Sequence, residues 1–111
     1  MNKYFMPKQV MPKFLPYPEF LLKSDLNLAA RETYALLLHR TTLSQLNGWT
    51  DENDRVFVIY PIAELAKDLG CCEMTVKRAL KALDDADLIK RRRVGFDKAN
   101  LIFPKLPTEQ F

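Results

Sequence analysis

The pattern of apolar and polar positions divides the chain into a short series of elements. From Leu28 to about Leu46 there is no proline or glycine, and leucine and alanine are frequent, so a long helix is predicted. Asn27 is placed to cap its first turn and Asn47-Gly48 to end it. The middle of this helix, Tyr34-Ala35-Leu36-Leu37-Leu38, is apolar on more than one face, which predicts burial through the core or against a second subunit. Asp51-Glu52-Asn53-Asp54 reads as a turn, and Arg55 to Tyr60 as a β-branched and aromatic strand bounded by Pro61. Ile62, Leu65, Ala66 and Leu69 then recur at helical spacing and stop at Gly70. After a brief turn, Thr75 to Ala86 forms a second amphipathic helix with Val76, Ala79, Leu80 and Leu83 on one side. Two short amphipathic helices around a glycine-containing turn are the signature of a helix-turn-helix. Two strands, Leu88 to Val94 and Asn100 to Phe103, flank a loop at Gly95 to Ala99 and read as a β-hairpin wing. The order predicts an α+β fold of the winged-helix type.

Ahead of these elements, Pro7, Pro12, Pro16 and Pro18 punctuate an extended N-terminal arm with room for a short extended piece at Tyr4 to Met6 and one helical turn around Lys13 to Leu15. The expected division is an arm at 1–20, a winged helix at 21–104, and at 105–111 the start of a linker, opened by Pro104 and Pro107, to a further C-terminal domain. The arm carries Phe5, Met6, Phe14, Tyr17 and Phe20, more apolar surface than a free tail would keep. One domain of this size has little room to bury both that arm and a helix apolar all round, so a homodimer is expected, with Phe5, Met6, Phe14, Tyr34, Leu37 and Leu38 as candidate dimerisation residues.

A chain of 111 residues that is 48% hydrophobic is enough for one core and short for two. The longest apolar runs fall far short of the roughly 20 residues that cross a bilayer, and the early prolines interrupt any signal-like stretch, so a cytoplasmic protein without a membrane partner is expected. Cys71 and Cys72 are adjacent and poorly placed to bridge each other, and His39 lies more than thirty residues away, so reduced thiols and no metal or other cofactor are expected. Trp49 and His39 are read as packing residues. No nucleophile–base constellation or phosphate loop is visible, and no catalysis is expected.

The formal charge of +3 matters less than its distribution. Acids gather at Asp51, Glu52 and Asp54 and again at Asp84, Asp85 and Asp87, while cations gather on the second helix and after it. On a helical wheel Met74, Lys77, Arg78 and Lys81 fall opposite the apolar stripe, where a recognition helix would meet base edges and phosphates of double-stranded DNA. Glu73 and Thr75 sit at its first turn, where each could read a base or serve the helix terminus. Lys90, Arg91, Arg92 and Arg93 lie on a wing strand with Lys98 in the loop, suited to phosphates or the minor groove. Alternation along a strand groups Arg91 with Arg93 and Lys90 with Arg92, and either pair could address DNA.

The helix ending Tyr34 to Arg40, the segment Asn47 to Phe57, the helix-turn-helix through Leu69 to Ile89, and the wing closing on Ala99 to Phe103 together resemble the N-terminal domain of RepA-type replication initiators of Gram-positive plasmids. The early Met11 to Leu15 is similar too. The resemblance implies binding to repeated sequences at a plasmid origin, a dimer, and a separate C-terminal domain that recruits host replication proteins. It makes Thr75 to Leu83 the recognition helix and Arg91 to Asn100 the wing. Two positions depart from the family pattern: Cys72 stands where serine is common as a helix cap, and Asp54 where glycine is common in the turn. A winged-helix transcription regulator and a winged helix used only for protein contacts are the alternative functions.

Overall fold

The computed structural model describes residues 4, 6–8, 10, 15–92 and 101–106. A 3-10 turn at Glu19–Lys23 leads into α1 (Leu28–Asn47), β1 (Val58–Ile59), α2 (Ile62–Leu69), α3 (Glu73–Asp85), β2 (Ile89–Arg92) and β3 (Leu101–Pro104). The strands form one antiparallel sheet in the order β1-β3-β2, the arrangement of a winged helix.

The cap expected at the start of α1 is present: Asn27 Oδ1 accepts the amide of Ala30 at 2.9 Å. All three helices end in the same way, with a left-handed residue that lets two amides fold back on the last turn. At α1 this residue is Gly48 (φ 69°), with Trp49 N donating to Ser44 O. At α2 it is Gly70 (φ 69°), with Cys71 N donating to Ala66 O. At α3 the position falls to Asp87 (φ 61°), and Leu88 N donates to Leu83 O while both leucine side chains are buried. An aspartate tolerates this conformation better than most side chains do. Cys72 is extended at the start of α3, so that helix begins at Glu73, two residues before the expected Thr75, and stops at Asp85.

The core is drawn from every element. Leu21, Tyr34, Leu37, Leu65, Val76, Leu83, Val58, Ile89 and Ile102 are all fully buried in it. Tyr34 also donates a hydrogen bond to the carbonyl of Lys105 at 2.6 Å, and Lys105 N donates to Leu88 O at 2.8 Å, so the fold holds the chain one residue beyond the expected boundary at Pro104. Tyr34 and Leu37 have no surface left for a second subunit, because the chain's own core consumes it. Leu38 is half-buried. Of the other candidate dimer residues, Met6 is exposed, and Phe5 and Phe14 lie outside the described residues.

Several further expectations are corrected. The strand expected over Arg55 to Tyr60 is ladder-paired only at Val58–Ile59, because the residues before it pair locally. Thr50 bridges Val56, Asp51 N donates to Arg55 O, and Phe57 N donates to Trp49 O, giving a small hairpin of its own. Its turn contains Asp54 at φ 64°, which explains why glycine is the common residue there. The helical turn expected near Lys13 to Leu15 is not seen at Leu15, and Lys13 and Phe14 lie outside the described residues. The turn forms at Glu19–Lys23 instead. Trp49 is 43% exposed, stacked on Phe57 with ring centroids 6.3 Å apart, and His39 is exposed on α1. The end of the arm packs back on the domain: Leu15 and Tyr17 border a small pocket with Ala35, Leu36 and Leu69, while Tyr4, Met6 and Val10 remain exposed.

Candidate nucleic-acid interface

Gly70 to Cys72 form the turn between α2 and α3, and the buried stripe of Val76, Ala79, Leu80 and Leu83 fixes the rotation of α3 about its axis. The opposite face therefore points outward. Met74 is 54% exposed, and Glu73, Lys77, Arg78 and Lys81 are exposed beside it. Thr75 is half-buried, with its Oγ1 3.2 Å from Cys72 Sγ. That contact, with amides of the helix start, lowers the Cys72 thiol below its ordinary range. Lys81 pairs with Asp85 at 3.4 Å. No acid among the described residues lies within ion-pair distance of Lys77 or Arg78.

Strand register decides the orientation that alternation leaves open. Arg91 stands opposite Ile102 and Lys90 opposite Phe103. Since Ile89 and Ile102 face the helical core, Arg91 shares their side of the sheet, while Lys90 and Arg92 share the outer side. Arg91 is half-buried and reaches Asp84 in the last turn of α3, with Nε 3.3 Å and Nη2 3.1 Å from Oδ2. Arg92 reaches Glu52 at 3.1 Å and Asp51 at 3.7 Å, and its guanidinium lies 5.3 Å from the centre of the Phe103 ring. Lys90 is exposed and has no acid in range among the described residues. Arg93 and Lys98 lie outside the described residues.

The acids that receive these cations have a local cost. Asp84 and Asp85 sit at the end of α3 and Asp87 just beyond it, where exposed carbonyls disfavour negative charge. Each has a cation: Arg91 on Asp84, Lys81 on Asp85, and Lys105 on Asp87. Asp51 is better supported. It accepts from the amides of Asn53 and Arg55 and from Arg55 Nε at 2.9 Å, and the Arg55 side chain is the main reason its carboxyl is held down at about 2.

Sequence reading overlooked Arg55. Arg55 and Arg92 both lie over Phe103, at 5.4 and 5.3 Å, and Phe57 meets the same ring edge-on. The Asp51–Arg55 spacing is the only local signal for this cluster; its docking onto Phe103 depends on a pairing nearly fifty residues distant. Beside it, α1 and the end of β3 enclose a groove of about 780 Å³ lined by Leu38, Val56, Lys90, Arg92, Phe103 and Leu106, among others.

Among the described residues no group of three or more His, Cys, Asp or Glu is arranged to hold a metal ion, and no helix is long and apolar enough to cross a membrane. Three solved structures are similar to the chain. One, an N-terminal domain of a DNA-binding protein, is 26% identical with a TM-score of 0.74, over 96% of this chain and 86% of that one. A Rep–DNA complex is 26% identical with a TM-score of 0.73, over 95% and 85%. An MDR initiator is 28% identical with a TM-score of 0.72, over 86% and 78%. No curated protein sequence gives a significant match. The profile of the N-terminal region of replication initiator protein A matches residues 11–109, and the chain, an α+β winged helix whose α3 turns a cationic face outward, belongs to that family.

Proposed function

We propose that the domain binds duplex DNA sequence-specifically at repeated sites of a plasmid origin, and that this binding initiates replication. The observation that carries the reading is the outer face of α3, where Met74, Lys77 and Arg78 project opposite a buried stripe and the two cations have no acidic partner among the described residues. In a helix-turn-helix this face enters the major groove, with Thr75 and Arg78 toward base edges and Lys77 toward phosphate. Glu73 and Lys81 flank the contact, and Lys90 extends it to the root of the wing; Arg93 and Lys98, outside the described residues, are assigned to the same contact on their sequence alone. The activity is one of binding and assembly in the cytoplasm, without a catalytic step, and recruitment of host replication proteins falls to a further domain.

A binding selection on randomised duplexes tests the assignment. Arg78→Ala and Thr75→Ala should relax base preference by about 1–3 kcal/mol per contacted pair, whereas Lys77→Ala should weaken all sequences evenly. Identical preferences in wild type and all three variants would refute it.

The domain acts as a homodimer in this proposal. Tyr4, Met6 and Val10 of the arm and Leu28, Leu43 and Leu46 on the exposed side of α1 are apolar surface that a second copy would cover. Two-fold pairing would set two recognition helices for successive major grooves, roughly 34 Å apart. Sedimentation should give a dimer for the whole chain and a weakened one without residues 1–20; a monomer at micromolar concentration for both rules the arrangement out.

A further inference from the structure

Four consecutive cations at the entrance to a wing invite the assumption that all of them bind phosphate. The side chains of Arg91 and Arg92 are already committed elsewhere. Arg91 is turned to the core side of the sheet by its register opposite Ile102, and both its Nε and Nη2 converge on one oxygen of Asp84. Arg92 lies over Phe103 and reaches Glu52 and Asp51, and its Nε is buried. The two guanidiniums thus fasten β2 on opposite sides, one to the end of the recognition helix and one to the turn of the 49–57 hairpin. Asp84 stands at the end of α3, where a carboxylate is disfavoured by the helix itself, so the local sequence gives no reason for it apart from the cation it holds.

We propose that Arg91 is a positioning residue, not a phosphate ligand: through Asp84 it fixes the wing strand against the end of the recognition helix, so that both meet one stretch of DNA in a set geometry. Arg92 fastens the outer side of the same strand in the same sense. This inference rests on the DNA-binding reading above and assigns its cationic contacts to Lys77, Arg78 and Lys90 among the described residues.

The two roles predict opposite signs for one substitution. If Arg91 binds phosphate, Asp84 competes with DNA for it, and Asp84→Asn should strengthen binding by freeing a cation and removing a negative charge. If Arg91 positions the wing, Asp84→Asn should weaken binding by about three- to fivefold, the scale of a partly exposed ion pair, despite the more favourable net charge. Arg91→Gln should weaken binding to a similar extent and leave the slope of log affinity against log salt unchanged, whereas loss of a phosphate contact lowers the magnitude of that slope by about 0.9 for each bound domain. The charge-exchanged double variant, Arg91→Asp with Asp84→Arg, should recover most of the affinity lost by Arg91→Asp alone.

Full-length chains and an origin-repeat duplex serve for all measurements, with thermal unfolding run on each variant. Stronger binding by Asp84→Asn, a slope reduced in magnitude by about 0.9 per bound domain in Arg91→Gln, or no recovery in the double variant would each overturn the inference while leaving DNA binding intact. A wild-type chain with no salt-dependent affinity for duplex DNA would overturn the underlying reading and this inference with it.

Discussion

Raising salt from about 50 to about 200 mM should weaken binding to an origin-repeat duplex by roughly a thousandfold, if each of two domains neutralises about three phosphates. The estimate follows from the cations proposed for phosphate: Lys77 on α3 and Lys90 on β2, which are exposed and have no acid in range among the described residues, and one of the wing cations Arg93 and Lys98, which lie outside them. Each neutralised phosphate releases condensed counterions and adds about −0.9 to the log–log slope, so six give a slope near −5. Arg91 and Arg92 add little in this account, being held by Asp84, Asp51 and Glu52. Replacing Lys77, Arg78 and Lys90 together by alanine should cut the slope by more than half. An unchanged slope in that triple variant would show that the electrostatic contact lies elsewhere on the domain.

Tyr34→Ala should cost about 3–5 kcal/mol in denaturant unfolding and leave much of the chain unfolded, since domains of this size are stable by only about 5–15 kcal/mol. The ring is fully buried and meets Phe20 edge-on at 5.7 Å, so its removal leaves a cavity at the crossing of the N-terminal turn, α1 and the end of the sheet. The hydroxyl contributes separately. Tyr34→Phe keeps the ring but deprives the Lys105 carbonyl of its donor, at about 1–2 kcal/mol. Burial also pushes the Tyr34 phenol up to about 12. A phenol harder to ionise folded than unfolded stabilises the fold below its unfolded value of about 10 and loses that contribution as pH rises toward 12. Tyr34→Phe should accordingly flatten the alkaline limb of the stability profile, leaving the part due to Tyr60, which burial and Asp68 also raise to about 12. A fully folded Tyr34→Ala with unchanged unfolding midpoint would contradict this view of the core.

What the sequence made legible, and what it hid, divides along the range of the interactions. Asn27, Gly48 and Gly70 act within a few residues of themselves, and the elements they bound were readable with their order. The stripe of α3 was equally local, and with it the identity of the outward cations. The fate of Tyr34 was not, because an apolar helix face reads the same whether a partner or the chain's own arm and sheet cover it. Arg55 to Phe57 have strand composition, yet they pair with Trp49 to Asp51 because a tight turn at Asp54 offers nearer partners than the sheet does. Which side of β2 each arginine takes depends on its register with β3, with Arg91 opposite Ile102 and Arg92 opposite Leu101 across the wing.

Lys105 gives the domain a mechanical property. The strand before it, β3, is the central one, bonded to β1 on one side and β2 on the other, and Lys105 adds a hydrogen bond from its amide to the Leu88 carbonyl, one accepted from the phenol of Tyr34, and an ion pair with Asp87. Tension applied to the chain beyond Leu106 along the strand axis would load both ladders in shear, with their hydrogen bonds stressed together instead of opening one at a time. Such a loading is the stiff direction of a small sheet. A pull taken up at Lys105 would therefore be borne by the sheet while the outward face of α3 keeps its setting.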